Sequence, residues 1–315
     1  MERSRPRLAI VVPCYNEEAA LPVTATRLTA LLAELVHTGA IASDSALYFV
    51  DDGSSDRTWD VIEGLAATDP HCHGIKLSRN HGHQHALLSG VLTARGDAVI
   101  SIDADLQDDV AAIKEMIDAY AAGAEIVYGV RRERHADSWF KRVTAEGYYR
   151  FAHLMGVRLV FNHADYRLLS RRAIDALGAY RESNLFLRGL IPQLGFNTAT
   201  VLYDRHERIA GRSKYPVAKM VGLALDGITS FSAAPLRLFT VLGVLVAFVS
   251  FGTAVWALWV GWFNPDAVPG WASTLIPLLF LGGIQLLCTG IIGQYLAKVY
   301  LETKARPRFI IEKQL

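Results

Sequence analysis

The stretch Ala98–Asp108 reads AVISIDADLQD, a short apolar run that ends abruptly in acidic and amide side chains. An apolar run of this length before polar turn residues is typical of a buried strand. The same order occurs twice upstream, where Leu8–Val12 precedes PCYNE and Ala46–Val50 precedes DDGS. Stretches with helical periodicity separate such runs, so strands and helices alternate along the chain. This alternation predicts an α/β domain with a mostly parallel sheet and helices on both faces.

The polar residues that follow these strands predict a ligand site. Carboxyl ends of parallel strands share one edge of a sheet, and ligands bind at that edge. Asp103 and Asp105 are two residues apart after one strand, a spacing that suits a hard divalent cation shared with phosphate oxygens. We therefore expect a nucleotide diphosphate held through a divalent metal ion. The alternatives are that the two aspartates cap the next helix and that DDGS is an ordinary turn.

Histidines are concentrated between two of the predicted helices. Five of the ten fall within residues 71–85, around Cys72. A zinc site is one interpretation, but His81, His83 and His85 lie at a loop-to-helix junction without the paired spacing of zinc ligands. We prefer loop histidines that lie near the nucleotide.

The C-terminal third of the chain has a different character. Residues 238–263 and 271–297 contain no charged side chain, and each run is long enough to cross a hydrocarbon core of about 30 Å. A pair of buried core helices is the alternative.

The formal charge of the whole chain is +1, which offers no electrostatic case for binding nucleic acid.

Charge flanking the two apolar runs predicts their orientation. Residues 264–270 between the runs hold one acid and no base, whereas basic residues lie at the outer ends: Arg237, Lys298, Lys304, Arg306 and Arg308. By the positive-inside rule, both termini face the cytosol and the protein lies in the inner (cytoplasmic) membrane as a multi-pass hairpin. The expected organisation is a cytosolic domain over 1–215, interfacial amphipathic helices over 216–235, two spans within 236–300 and a cytosolic tail over 301–315. Packing against the domain is the alternative for the interfacial helices.

Six segments together carry a resemblance to a known family: PCYNE (Pro13–Glu17), DDGSSDRT (Asp51–Thr58), SRNHGHQHALLSG (Ser78–Gly90), DADLQD (Asp103–Asp108), NHADYRLLSRRA (Asn162–Ala173) and GRSKYP (Gly211–Pro216). In this order they resemble the family 2 glycosyltransferases of GT-A fold. Within that family they are similar to the polyprenyl-phosphate glycosyltransferases, which include dolichol-phosphate mannose synthases and bactoprenol glucosyltransferases. The resemblance covers essentially the whole chain and implies a Rossmann-like GT-A domain followed by a two-helix transmembrane hairpin.

The resemblance also implies roles for the matching positions. The implied nucleotide-sugar contacts are Pro13, Tyr15, Glu17, Asp51, Asp52, Asp103, Arg131 and Tyr215, with Asp51 or Asp52 reading the base. The implied metal shell, for Mg²⁺ or Mn²⁺, consists of Asp103, Asp105 and Gln107. The implied catalytic residues are Asp165, Arg167 and Lys214. Asp165 is expected to act as a base or as an orienting carboxylate, and an ion pair with Arg167 is the structural alternative.

The expected reaction moves one sugar from a nucleotide sugar, such as UDP-glucose or UDP-N-acetylglucosamine, to polyprenyl (undecaprenyl) phosphate with inversion. Metal and basic side chains would neutralise the charge that grows on the departing diphosphate. A lipid phosphate, whose second pKa is about 6, is largely ionised and needs little help from a base. The alternatives are another lipid acceptor, such as a diacylglycerol, and a non-catalytic nucleotide-sugar-binding protein at the membrane. The sequence leaves open the sugar, the choice of metal and whether the chain forms a homo-oligomer.

Overall fold

The computed structural model describes residues 5–105, 107–132, 163–182, 185–204, 234–263 and 271–315. The first part of the chain alternates strands and helices: β1 (Leu8–Cys14), α1 (Leu21–His37), β2 (Ala46–Asp51), α2 (Thr58–Thr68), β3 (Cys72–Leu77), α3 (His83–Thr93), β4 (Ala98–Ser101), α4 (Ala112–Ala121) and β5 (Ile126–Arg131). The remainder contains β6 (His163–Ser170), α5 (Arg171–Ala179), α6 (Leu187–Leu190), a 3₁₀ turn (Ile191–Leu194), β7 (Thr198–Tyr203), α7 (Ala234–Phe263), α8 (Trp271–Thr303) and β8 (Ile311–Gln314).

The described strands form one mixed sheet in the order β7-β5-β6-β4-β1-β2-β3-β8. The pairs β1–β2, β1–β4, β2–β3 and β5–β7 are parallel, whereas β6 and β8 run antiparallel to their neighbours. The predicted α/β domain with a mostly parallel sheet is confirmed. The sequence patterns did not predict the two antiparallel strands.

The central strands are buried because helices cover both faces of the sheet. Every residue of β1 and β2 is buried, as expected for parallel strands whose sequences are continuous apolar runs. Helix α1 contributes an apolar stripe of residues spaced three or four apart. Its buried members are Leu21, Thr24, Ala25, Leu28, Leu32 and Leu35.

The loops that connect these elements start the helices with polar side chains. Ahead of α2, the carboxylate of Asp56 accepts hydrogen bonds from the backbone N–H of Thr58 (3.0 Å) and from its hydroxyl (2.5 Å). Gly53 has a φ of 66°, and a Cβ there would lie 2.5 Å from the backbone of Arg79 and Asn80. Position 53 of the DDGS turn therefore requires glycine, since any side chain would clash with the backbone of the neighbouring loop.

The C-terminal residues return to the sheet as β8, antiparallel to β3. The backbone N–H of Ser78 donates to the carbonyl of Ile310 (3.0 Å), and Lys313 Nζ lies 2.6 Å from a carboxylate oxygen of Glu63. Residues 305–315 therefore belong to the same compact unit as the α/β domain. These residues were expected to form only a tail.

Helices α7 and α8 belong to a second compact unit. Large apolar side chains along them are exposed, among them Phe248, Phe251, Trp256, Trp259, Phe280 and Leu286. Within the described residues, the segment Phe280–Thr303 is long and apolar enough to cross a membrane, and Gly243–Thr253 forms a shorter apolar helix. Nearly all of the predicted interfacial region 216–235, and the loop 264–270, lie outside the described residues.

Gly90 on α3 provides a test of how closely this helix packs on the sheet. A Cβ at Gly90 would lie 2.4 Å from Val11 Cγ1 and 2.7 Å from Val50 Cγ2. We expect Gly90→Ala to lower the free energy of unfolding by about 1–3 kcal/mol, because a packed core resists added volume. Chemical denaturation of the purified protein in detergent measures this change.

The matched control is Gly64→Ala on α2, where a Cβ meets nothing within 4 Å. There the substitution should raise the free energy of unfolding by up to about 1 kcal/mol, since alanine favours helix more than glycine does. Equal effects of the two substitutions would contradict the packing of α3 on β1 and β2.

Candidate active site

The loops after β1 and β2 are joined by hydrogen bonds. The backbone N–H of Asn16 donates to Ser54 Oγ (3.0 Å), and that of Ser55 donates to Asn16 Oδ1 (2.8 Å). The backbone N–H of Glu17 donates to Thr58 Oγ1 (2.8 Å). These bonds bring together the predicted nucleoside contacts Pro13, Tyr15, Glu17, Asp51 and Asp52, of which Tyr15 is exposed.

The two aspartates at the end of β2 are buried but differ in their partners. The carboxylate of Asp52 accepts hydrogen bonds from the backbone N–H groups of His81 (2.7 Å) and Gly82 (2.9 Å). Burial raises the pKa of Asp52, and the two backbone N–H groups oppose that shift. Asp51 Oδ1 accepts from the N–H of Ser54 (3.2 Å), whereas its buried Oδ2 has no hydrogen-bond partner in the described part of the chain. Asp52 therefore fixes the loop that leads into α3.

His83 begins α3 directly after that loop. Its Nε2 lies 3.6 Å from Asp103 Oδ1 and 3.5 Å from Asp165 Oδ2. Burial by itself lowers the pKa of His83, but the hydrogen bond to Asp165 and the charges of both carboxylates raise it, and the net shift is upward. His83 therefore joins the DAD segment to β6. Histidines were expected near the nucleotide, but His83 was not distinguished from the others.

The antiparallel strand β6 brings Asp165 to the same edge of the sheet. Ser101, the last residue of β4, pairs with Arg167 of β6, and Ser101 Oγ donates a hydrogen bond of 2.5 Å to the carbonyl of Asp165. As β4 continues toward Asp103, the antiparallel strand continues back toward Asp165. The register of this strand pair therefore places the two aspartates on the same side of the pocket.

Three basic side chains surround the Asp165 carboxylate. Arg167 forms a short hydrogen-bonded ion pair with Oδ1, while Arg188 Nε lies 3.2 Å from Oδ1 and Arg188 Nη2 lies 3.3 Å from Oδ2. His83 is the third. Burial alone would raise the pKa of Asp165, but these neighbours hold it well below its usual range. A carboxylate with so low a pKa is a weak proton acceptor, which favours an orienting role over that of a base. The ion pair with Arg167 that was the structural alternative is present.

Asp103 and Asp105 provide the oxygen atoms that a divalent cation would need. Burial, together with the nearby carboxylates of Asp108, Asp165 and Asp105, raises the pKa of Asp103 to about 6, and His83 only partly opposes this shift. Asp105 Oδ1 accepts a hydrogen bond from the backbone N–H of Gln107 (3.2 Å), a residue that is itself buried.

Among the residues that the structure describes, no three His, Cys, Asp or Glu side chains gather as a metal-binding group. Magnesium in proteins commonly takes only one or two carboxylates and completes its shell with water and substrate phosphates. The crowded carboxylates of Asp103 and Asp105 fit that kind of site, because a doubly charged ion would relieve their mutual repulsion. The place of Gln107 in the shell stays a prediction.

A buried polar cluster lies behind the DAD segment. Tyr203 Oη donates to Asp108 Oδ1 (2.6 Å), Arg131 Nη2 lies 3.3 Å from the same oxygen, and Arg131 Nε donates to Tyr203 Oη (3.1 Å). Arg131, which was expected to contact phosphate, thus contacts an aspartate of the DADLQD segment. Asp108 and Tyr203 were not predicted, although Asp108 belongs to a recognised motif.

Arg188 was also missed, because nothing in its local sequence distinguishes it from a surface arginine. The segment that carries it is fixed by the backbone N–H of Leu187, which donates to Gln84 Oε1 on α3 (2.9 Å). The predicted residues Lys214 and Tyr215 lie outside the described residues. Their roles stay predictions.

Sequence comparison agrees with this arrangement. Residues 9–178 match the profile of Glycosyl transferase family 2. The chain belongs to this family. The resemblance identified from the six motifs is confirmed, and the mixed α/β sheet is the Rossmann-like GT-A fold expected of a family 2 glycosyltransferase.

Curated relatives match along nearly their full length. An uncharacterized glycosyltransferase of Bacillus subtilis, YkoT, is 48% identical over 100% of this chain and 94% of its own length. The bactoprenol glucosyl transferase of Shigella phage SfX is 38% identical over 98% of this chain and 99% of its own. Among solved structures, glucosyl-3-phosphoglycerate synthase from Mycobacterium tuberculosis, in complex with Mn²⁺, UDP and phosphoglyceric acid, matches with a TM-score of 0.47 and 18% identity, over 71% of this chain and 76% of that one.

The Asp165–Arg167 pair predicts a large effect on stability. In Asp165→Asn the guanidinium of Arg167, a residue that is only 1% exposed, would lose its counter-charge. We expect the free energy of unfolding to fall by about 3–5 kcal/mol, as for other broken buried ion pairs. Chemical denaturation in detergent measures the loss.

The double variant Asp165→Asn/Arg167→Met is the control, since it removes both members of the pair. It should recover most of the lost stability, because no buried charge then lacks a partner. A double variant as unstable as the single one would contradict the assignment of the pair as the source of the effect.

Proposed function

We propose that this glycosyltransferase transfers a single sugar, glucose, from a nucleotide sugar to polyprenyl phosphate at the cytosolic face of the membrane. UDP-glucose is the proposed donor, and the anomeric configuration is inverted. The proposal rests on one juxtaposition: the Asp103 carboxylate lies 3.6 Å from His83 Nε2, which is one of the basic groups around Asp165. Relatives named bactoprenol glucosyl transferase, such as the one at 38% identity, support the choice of sugar and acceptor.

In this proposal the two halves of the pocket have different tasks. Asp103 and Asp105 would hold Mg²⁺ or Mn²⁺, which when bound supplies positive charge to the diphosphate of the donor. Asp165 orients the basic residues around it and accepts no proton, since its pKa is held well below the usual range. An ionised lipid phosphate needs little help from a base, so an Asp165 that accepts no proton is consistent with this acceptor.

Chain connectivity supports a membrane hairpin. The chain leaves the sheet after β7, passes through α7 and α8, and rejoins the same sheet as β8. A chain that leaves a domain on one side of a membrane and returns to it must cross an even number of times. We therefore propose that α7 and α8 each cross once, with the spans at 238–263 and 271–297 and both termini in the cytosol of a bacterial inner membrane.

The function is tested with full-length protein in detergent, undecaprenyl phosphate, Mg²⁺ or Mn²⁺ and radiolabelled UDP-glucose or UDP-N-acetylglucosamine. Thin-layer chromatography and mass spectrometry identify the product. We expect a glucosylated lipid phosphate. Transfer only to added diacylglycerol would replace the acceptor, and binding of nucleotide sugar without any transfer would favour a non-catalytic role.

The metal assignment is tested by Asp105→Asn. The amide oxygen can still accept the hydrogen bond from the Gln107 N–H, so the fold should be retained while the carboxylate charge is lost. We expect the transfer rate to fall on the order of 100-fold or more, because neutralisation of the diphosphate depends on the bound cation.

Asp109→Asn is the matched control, since it makes the same change four residues later. Asp109 Oδ1 accepts from the backbone N–H of Ala111 (2.9 Å) at the start of α4, and the amide oxygen of asparagine can replace it. This variant should retain the wild-type rate. An unchanged rate in Asp105→Asn would remove Asp105 from the cation site.

The hairpin is tested by cysteine labelling in spheroplasts, in a Cys288→Ser background in which Cys14 and Cys72 are buried. A membrane-impermeant maleimide should label Ala267→Cys in intact spheroplasts, because the 264–270 loop faces outward in a hairpin. Leu315→Cys should react only after lysis. Labelling of both cysteines before lysis, or of neither, would contradict two crossings.

A further inference from the structure

The buried face of helix α1, which the structure describes along its whole length, contains one polar residue. That residue is Thr24, which is 0% exposed and lies within the apolar stripe of the helix. Its hydroxyl oxygen lies 2.6 Å from the carbonyl oxygen of Ala104, in the loop after β4. Because a carbonyl can only accept, the hydroxyl donates this hydrogen bond. A buried hydroxyl therefore interrupts the apolar stripe at the point where α1 contacts a segment 80 residues away along the chain.

The hydroxyl of Thr24 also lies near a carbonyl of its own helix. It is 3.1 Å from the carbonyl oxygen of Ala20, a contact that a threonine in a helix commonly makes with the residue four positions earlier. The Ala20 carbonyl already accepts the backbone N–H of Thr24 (3.1 Å), so it does not need the hydroxyl. Removal of the hydroxyl would therefore act mainly on the buried carbonyl of Ala104, which would lose a donor.

Ala104 lies between the two aspartates of the proposed cation site. Ile102 and Ala104 are buried, whereas Asp103 and Asp105 are half-buried. The backbone N–H of Ile102 donates to a carbonyl of β1 (3.1 Å), and the carbonyl of Ala104 accepts from Thr24. The segment is therefore attached to β1 before the first aspartate and to α1 between the two.

The two carboxylates have contacts of their own. Asp103 Oδ1 lies 3.6 Å from His83 Nε2, and Asp105 Oδ1 accepts a hydrogen bond from the backbone N–H of Gln107 (3.2 Å). Like charges so close together repel each other, so the loop that carries them tends to spread when no cation is bound. The hydrogen bond from Thr24 opposes this movement because it fixes the backbone midway between the two aspartates.

We propose that Thr24 is a positioning residue for the cation site: by fixing the Ala104 carbonyl, its hydroxyl holds the two flanking aspartates in place for a divalent ion. This rests on the proposed function, in which Asp103 and Asp105 hold Mg²⁺ or Mn²⁺. Groups that orient metal ligands without touching the metal commonly change metal affinity by about 10- to 100-fold when they are removed. Because Thr24 is buried, it acts on the cation through the loop and not by direct contact.

The experiment measures Mn²⁺ binding to the full-length protein in detergent with UDP present, from the loss of the electron paramagnetic resonance signal of free Mn²⁺. Thr24→Val keeps the branched shape of the side chain but removes the hydroxyl, and we expect it to raise the Kd for Mn²⁺ about tenfold or more. Thr24→Ser keeps the hydroxyl and should stay within about threefold of the wild type. Thr24→Ala is a second variant without a hydroxyl and should weaken binding as Thr24→Val does.

The matched control is Thr26→Val on the same helix. Thr26 is exposed, and its hydroxyl donates to the carbonyl of Pro22 (2.8 Å), four residues earlier in α1. The same substitution here removes a hydroxyl whose hydrogen bond lies within its own helix. The Kd for Mn²⁺ should therefore equal that of the wild type.

Thermal unfolding separates positioning from a general loss of stability. A bound ligand raises Tm by an amount that depends on the ratio of its concentration to Kd. At one fixed concentration of Mn²⁺ and UDP, we expect the increase in Tm to be smaller for Thr24→Val than for the wild type. A purely structural role would lower Tm with and without ligands and leave the increase unchanged, which would overturn the proposal.

The outcomes distinguish this inference from the proposed function. If the wild type and Thr24→Val bind Mn²⁺ equally, the inference is wrong and the cation site stands. If the wild type binds no Mn²⁺ in the presence of UDP, the cation site of the proposed function is wrong, and the role of Thr24 is wrong with it. If Mn²⁺ binding weakens as expected but no sugar is transferred to a polyprenyl phosphate, the proposed acceptor is wrong and the role of Thr24 is supported.

Discussion

Asp165 is a buried carboxylate held by basic groups from three different elements: Arg167 on β6, Arg188 on α6 and His83 on α3. Removing a carboxylate and a guanidinium from water is costly, and the cost is offset only when their geometry is good. The contacts of Asp165 with His83 and Arg188 therefore oppose a one-residue slip of β6 relative to β4, because such a slip would turn the Asp165 side chain to the other face of the sheet. Placement of the site thus depends on this contact.

Several carboxylates lie at the edge of the sheet that carries Asp165, and most of them have a basic or hydrogen-bonding partner. Arg131 and the hydroxyl of Tyr203 contact Asp108, while Arg167 neutralises Asp165. Among the residues that the structure describes, Asp103 pairs only with the more distant His83, and burial together with neighbouring carboxylates raises its pKa to about 6. The structure tolerates this repulsion next to Asp105, and a divalent cation bound with substrate would convert it into attraction.

Local pattern was sufficient for β1 and β2, because each is a short apolar run, and their predicted ends at Val12 and Val50 differ from the observed ones by at most two residues. It failed for β6, whose sequence HADYRLLS places an aspartate and an arginine inside a strand. Those two charges are buried only because they pair with each other. Strand β8, IEKQ, is too short and polar to be recognised before β3 is known to need an edge partner. The structure brings Asp103 of the DADLQD motif, whose strand-end position was predicted, close to Asp165, whereas the position of Arg188 depends on tertiary contacts that no sequence spacing encodes.

Strands β7 and β8 are the two edges of the described sheet. Strand β8 covers the edge of β3, and its two charged side chains are paired within the domain: Lys313 with Glu63 of α2 and Glu312 with Lys76 of β3. Without β8, the unpaired backbone groups of β3 could pair with a strand of a second chain. The residues after α8 therefore complete the sheet, and the ion pairs of β8 favour pairing of this segment with its own domain.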